Sequence, residues 1–248
     1  MAVVIAHRTC PRHEAENSLA GIARAGELGA HGVEIDVRLT RDGMPVLVHD
    51  RTLLRMTRWP LPTRYFSFEC LRRMKRRDNG LSIPTFAEAL HALPEGVVMA
   101  IDLKDPRAAS ATMDEIVAQG AEQRVLLWAQ SMDAVREFGA AIPDVERALL
   151  RDTRAGAATR KFLRDAERCG ADALSAHWDR ITPAFVTEAH ERGLKVYAMA
   201  QNAESQWEKL EAGLDGLVTN WAEEALAATD ALPGSNPGRP TKDPTRSR

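Results

Sequence analysis

In the stretch GVEIDVRLTRDGMPVLVHD, residues 32–50, Glu34 and Asp36 alternate with Val33, Ile35 and Val37, and His49 closes a second apolar run. Residues two apart on a strand face the same way, with Cα atoms roughly 6.5–7 Å apart. The two acids therefore point together from a segment that otherwise reads as core. An unpaired buried carboxylate costs several kcal/mol, so a positive charge belongs beside them. Asp102 and Lys104 repeat the spacing in VVMAIDLKD. Three converging carboxylates make a hard, oxygen-rich site suited to Mg²⁺ or Ca²⁺. Taken alone, Glu-x-Asp in a strand reads as part of a salt-bridge network; the second acid-bearing strand and two histidines favour the metal. His7 and Arg8 follow the first apolar run, and His49 ends VLVH. Two imidazoles, each with an ordinary pKa of about 6.5, can divide acid and base work at neutral pH. The spacing leaves open which ring does which.

The elements that must position these residues follow a rhythm of short Val/Ile/Leu/Ala runs, polar turns and helix-period stretches. Strands are expected near 3–7, 32–38, 97–104, 125–129, 145–151, 172–177, 195–200 and 216–219. Between them lie helical stretches such as NSLAGIARAGELG, TFAEALHAL, GAATRKFLRDAERCG and TPAFVTEAHERG. Gly29, Gly170, Gly193 and Gly213 stand where left-handed helix caps are expected. Eight alternating units in a chain of 248 residues predict an α/β fold closed as a (β/α)₈ TIM barrel, which commonly takes about 250 residues. MPVLVHD then becomes an extra strand, joined to the second barrel strand by a TRDG hairpin. An open doubly wound sheet is the alternative, since strand order is not written in the pattern. In a barrel the acids point inward, toward the C-terminal mouth where active sites assemble. Residues 1–232 are read as one barrel domain with an insertion at about 51–82. The proline-rich tail 233–248 is expected to be disordered.

Composition narrows the partners. Thirty-three Lys and Arg against 35 Asp and Glu, net charge −2, make no whole-protein case for nucleic acid. Cys10, Cys70 and Cys169 include no Cys-x-x-Cys pair, so neither a disulfide framework nor a zinc site follows. The first apolar run is too short for a signal-peptide core or a membrane span, and a cytoplasmic setting is expected. The insertion is locally basic, with Arg51, Arg55, Arg58, Arg64, Arg72, Arg73, Lys75, Arg76 and Arg77 against Glu69 and Asp78. Its RWPLPTRYFSF and LRRMKRR segments interleave aromatics with cations, a pattern able to meet an anionic membrane surface. The plainer reading, favoured here, is a surface helix capped by Ser67. Phe68, Leu71 and Met74 would pack inward while the arginines stay solvated.

The span from IAHRTCPRHEAENS to PVLVHD resembles the signature of the glycerophosphodiester phosphodiesterase family. That signature reads H-R-G, P-E-N-T, E-x-D-V, T-x-D-G and P-V-x-x-H-D, followed by an E-x-K strand. His7-Arg8, Glu16-Asn17, Glu34 to Val37, Thr40 to Gly43 and Pro45 to Asp50 match in order, and the likeness runs over about residues 3–226. The resemblance implies a TIM barrel with an extra hairpin and a divalent metal on Glu34, Asp36 and Asp102. It further implies catalytic histidines at His7 and His49, phosphate-holding cations at Arg8 and Lys104, and a supporting acid at Glu16. Thr9 replaces the signature's glycine, Ser18 its threonine and Asp102 its glutamate, a shorter acid that asks the ion to shift or a water to bridge. MAQN, residues 199–202, replaces a tryptophan-bearing run on the presumed substrate wall, and Asn220 replaces a closing aspartate. The expected activity is metal-dependent cleavage of a small glycerophosphodiester to an alcohol and glycerol phosphate by two-histidine acid–base catalysis. The alternatives are a phospholipase D-like enzyme acting on lysophospholipids through a cyclic phosphate, and a barrel that binds phosphodiesters without cleaving them. The alcohol, the preferred metal and the oligomeric state are not legible in the sequence.

Overall fold

The computed structural model describes residues 2–151, 160–200 and 213–231, and among these the apolar runs form nine strands. The strands are β1 (Val3–Ala6), β2 (Gly32–Leu39), β3 (Pro45–Leu47), β4 (Val98–Leu103), β5 (Val125–Ala129), β6 (Glu146–Arg151), β7 (Ala173–His177), β8 (Lys195–Ala200) and β9 (Gly216–Thr219). All but β3 pair in parallel around a ring in chain order, and β1 closes it by pairing with both β2 and β9. The eight expected barrel strands are thus found where the periodicity placed them. β3 pairs antiparallel with β2 outside the ring, as the TRDG hairpin implied.

Helices link the strands: α1 (Leu19–Leu28), α2 (Leu54–Thr57), α3 (Phe68–Arg73), α4 (Phe86–His91), α5 (Ala109–Ala118), α6 (Met132–Ala141), α7 (Arg160–Cys169), α8 (Pro183–Glu191) and α9 (Ala222–Asp230). Ser18, Ser67, Thr85, Ser131 and Thr182 cap α1, α3, α4, α6 and α8 by accepting a backbone N–H of the first turn. The start of the stretch expected to form α7, Gln201 and Asn202 of MAQN, and the tail 233–248 lie outside the described residues.

Strand alternation sorts side chains into two layers. Val33, Ile35 and Val37 join the buried layer between barrel and helices. Ile5, Ala100, Trp128, Leu150, Tyr197 and Val218 fill the barrel interior, so it is packed rather than open. Glu34, Asp36 and Asp102 continue the inward-facing positions toward the C-terminal mouth, and Asp36 is in register with Asp102. Met199, near the end of β8, is 5% exposed and packs within the inner layer.

The basic insertion packs as the plainer reading expected, with one correction. Leu71 and Met74 are buried and Phe68 partly so, against Val46, Val48, Leu53, Met56 and Ile83. Arg72 and Arg73 are exposed, but Arg76 is not solvated: it is 2% exposed and reaches inward to donate to the Asn17 carbonyl at 3.3 Å. Its outer edge is held by both carboxylate oxygens of Asp78.

α1 begins against the segment that follows β1. A Cβ at Gly21 would lie 2.3 Å from the Thr9 carbonyl oxygen and 2.4 Å from Thr9 Oγ1. Gly21→Ala should therefore destabilise the fold by roughly 1–3 kcal/mol through overpacking. It should also lower turnover, because Thr9 is next to Arg8. Urea melts and steady-state kinetics on the variant check both effects.

Candidate active site

The segment after β1 turns sharply, with Arg8, Thr9 and Cys10 at φ 45°, 67° and 88° and Asn17 at 51°. Such left-handed conformations cost a residue with a Cβ roughly 1–2 kcal/mol each. Thr9 stands where the resembled signature has glycine, and its hydroxyl contributes a bond that glycine could not. Thr9 Oγ1 accepts the Ser18 N–H at 3.1 Å, and Ser18 Oγ accepts the Gly21 N–H at 3.0 Å. The turn is thereby sewn to α1 and presents His7 and Arg8 to the barrel mouth.

Three acids meet there. Glu34, Asp36 and Asp102 are each 1% exposed and offer carboxylate oxygens that all lie within 4.8 Å of one another. Asp102, though shorter than glutamate, still reaches the cluster. The Arg8 backbone N–H donates to Glu34 Oε2 at 2.8 Å. Asn17 holds Asp36 at two points, donating to Oδ2 at 2.8 Å and accepting the Asp36 N–H at 3.0 Å. Lys104 Nζ bonds Asp102 Oδ2 and lies 3.2 Å from Asp36 Oδ1. The Arg8 guanidinium lies 3.6 Å from Asp36 and 3.3 Å from Glu16. Glu16 in turn accepts from Arg55.

The charges do not cancel. Three acids face Lys104 and Arg8, and Arg8 is shared with Glu16. Burial, with Asp36 and Asp102 alongside, pushes the Glu34 carboxyl well above the ordinary carboxylate value. Burial pushes Asp36 the same way, yet Lys104, His49, Arg8 and the Asn17 bond together hold it below its ordinary value. Burial opposes the Lys104 charge, but Asp102, Asp36 and Glu34 outweigh it and hold its pKa above the ordinary lysine value. Glu34 Oε1 is buried and accepts no hydrogen bond among the described residues. An all-oxygen donor set, surplus negative charge and an orphaned carboxylate oxygen fit a divalent cation.

Both predicted histidines flank the acids. His7 is 6% exposed and its Nε2 lies 3.9 Å from Glu34 Oε2. Its Nδ1 is 2.7 Å from Asn220 Oδ1, across the closure of the barrel. That oxygen can only accept, so Nδ1 carries the proton and Nε2 the lone pair. Burial, then the Arg8 charge, lowers the His7 pKa to about 4. His49 is half-buried, and its Nδ1 donates to Asp50 Oδ1 at 2.8 Å. Burial raises the Asp50 carboxyl, but its bonds from Arg55 and His49 prevail and hold it at about 2. Arg38 fixes the His49 backbone by donating to its carbonyl at 2.8 and 3.1 Å.

The structure thus brings together His7, Arg8, Glu16, Glu34, Asp36, His49, Asp102 and Lys104, all of the residues expected from sequence. The partners that sequence reasoning left without a role are Asn17, Asp50, Arg38 and Asn220. Asn17, Asp50 and Asn220 stand at positions of the resembled signature, so their places could have flagged them; Arg38 acts only through tertiary approach. Among the described residues no helix is long and apolar enough to cross a membrane.

A glycerophosphodiester phosphodiesterase of Caldanaerobacter subterraneus is 27% identical over 240 residues, covering 90% of this chain and 96% of its own. The structure of an Oleispira antarctica phosphodiesterase in complex with the product sn-glycerol-3-phosphate is similar with a TM-score of 0.82. It shares 22% identity and covers 93% of this chain and 98% of its own. The glycerophosphodiester phosphodiesterase of Thermotoga maritima gives a TM-score of 0.76 at 22% identity, covering 92% and 98%. Both solved structures share the barrel fold. Residues 7–224 match the model of the Glycerophosphoryl diester phosphodiesterase family, and the chain belongs to that family.

Proposed function

We propose that this site cleaves glycerophosphodiesters to an alcohol and glycerol phosphate, with Glu34, Asp36 and Asp102 holding Mg²⁺ or Ca²⁺. The observation that carries the reading is the set of three buried carboxylates within 4.8 Å, with His7 beside Glu34 and His49 bordering the same cavity as Lys104. A bound divalent ion supplies charge stabilisation at a phosphate oxygen. Arg8 and Lys104 clamp the remaining phosphate oxygens, the geometry in which charge-assisted bonds are strongest.

The environments of the two rings divide their work. His7 is buried, neutral and holds its Nε2 lone pair free, which suits the base that takes a proton from the nucleophile. A neutral amide on Nδ1 steadies that tautomer without an added charge. His49 carries an ionised carboxylate on Nδ1 and a fixed backbone, which suits the acid that delivers a proton to the departing alkoxide. The nucleophile is water or a neighbouring hydroxyl of the substrate.

Exposed Trp59, Leu61 and Tyr65, at 52%, 45% and 53%, favour a second reading in which a lysophospholipid is cleaved through a cyclic phosphate. Phosphorus NMR on glycerophosphocholine and lysophosphatidylcholine, with EDTA and then with Mg²⁺ or Ca²⁺ restored, tests both readings. Glycerol phosphate formed only with metal is the expected product; a cyclic phosphate from the lysolipid would favour the second reading. Metal-independent turnover, or none on any diester, would defeat the proposal.

A further inference from the structure

One wall of the mouth is more cationic than the chemistry at the acids requires. A cavity of about 630 Å³ opens beside the site, bordered by His49, Lys104, Arg38, Arg51, Arg55 and Arg77, with Asp50 also in its lining. A second, of about 400 Å³, shares Arg38, Arg51 and Lys104 with it and adds Arg64 and the Asp105–Arg107 pair. The first volume lies in the range of small-molecule sites, roughly 300–1,000 Å³.

The same wall shows what a structural arginine looks like here. Arg55 is paired with Asp50 and Glu16, and Arg107 with Asp105. Arg38 is anchored by the carbonyls of His49 and Lys104 and has no carboxylate within 4 Å among the described residues. Among the described residues Arg64 meets only the ring and hydroxyl of Tyr65. The side chains of Arg51 and Arg77 make no hydrogen bond or ion pair with any described residue. The acids that border this space, Asp50 and Asp105, are taken by Arg55 and Arg107, so Arg38, Arg51 and Arg77 face it without an ion-pair partner among the described residues, and their mutual repulsion is a cost that a bound anion offsets. Scattered arginines on a solvated surface would carry no such meaning; a shared concave wall ending at His49 does.

We infer that this cavity receives the leaving alcohol and that the preferred alcohol itself carries a phosphomonoester, bound by Arg38, Arg51 and Arg77. The inference rests on the proposed phosphodiesterase reading with His49 as the acid, since the ring that protonates the departing oxygen must border the departing group. The substrate class is therefore a glycerophosphodiester with a second, terminal phosphate on its alcohol arm. A guanidinium pair on a phosphate is bidentate and charge-assisted, strong enough to separate substrates that differ in that group alone.

The test compares glycerophosphoinositol with its 4-phosphate, which differ by one phosphomonoester, on the wild type and on an Arg51→Gln/Arg77→Gln double variant. Both arginines are exposed, so the substitutions leave the core untouched. The wild type is expected to favour the phosphorylated diester by about 10–100-fold in kcat/KM at low salt. That preference should shrink as salt is raised. The double variant should lose it while cleaving glycerophosphoinositol as before. Equal rates on both diesters in both proteins would overturn the inference and leave the phosphodiesterase reading standing; no turnover of either would sink that reading itself. Arginine-dependent binding to phosphatidylglycerol vesicles, with no preference between the soluble diesters, would assign the wall to a membrane surface and likewise overturn the inference.

Discussion

His49→Ala should lower kcat on an alkyl-alcohol diester by about 10²–10⁴-fold, the range for loss of a positioned general acid or base. His7→Ala should fall by a similar factor, so the size of the loss does not separate their roles. The leaving group does. An alkoxide departs poorly without a proton, whereas p-nitrophenolate needs none. On a p-nitrophenyl phosphodiester, His49→Ala should recover most of its activity and His7→Ala should not. The structural basis is the difference between the two Nδ1 partners: Asp50 is anionic and braced by Arg55, while Asn220 is neutral. Recovery by His7→Ala in place of His49→Ala would reverse the assignment. Equal recovery by both, or by neither, would show that the rings do not divide the work.

Glu34→Gln should abolish metal-dependent turnover, and its effect on the metal-free protein should run the other way. Burial beside Asp36 and Asp102 raises the Glu34 pKa above its unfolded value, so its ionised form costs stability at neutral pH. Removing that charge should raise the Tm of metal-free protein, about 2–4 °C for each kcal/mol gained in a chain of this size. Added Mg²⁺ or Ca²⁺ should raise the wild-type Tm and leave the variant's unchanged. A proton on Glu34 competes with the metal, so affinity should weaken as pH falls through its raised pKa. Calorimetry in two buffers of different ionisation enthalpy reads that proton directly. A variant that retains metal-induced stabilisation and turnover would remove Glu34 from the ligand set.

The parts of this site that were legible in the sequence are those set by local periodicity. Alternation at Glu34-Ile35-Asp36 and Asp102-Leu103-Lys104 is enough to place the acids on the inner face. Ser67 announced the start of α3 in the same local way. Ring closure is not local. β1 meets both β2 and β9, and that closure brings Asn220 to His7 across 213 residues of chain. Nothing in a two- or three-residue repeat encodes such an approach. Arg76 departs from expectation for a related reason: in LRRMKRR it looks like its neighbours, and only the path of the chain after α3 turns it inward.

The buried guanidinium of Arg76 ties the insertion to the rest of the molecule. It grips the carbonyl of Asn17, the residue whose amide holds Asp36 at two points. The excursion between β3 and β4 is therefore no detachable module. Grafting a relative's loop to change selectivity would remove a strut from beneath the acids unless the Arg76–Asp78 clasp travelled with it. Selectivity and catalytic integrity are mechanically linked in this barrel, and they have to be redesigned together.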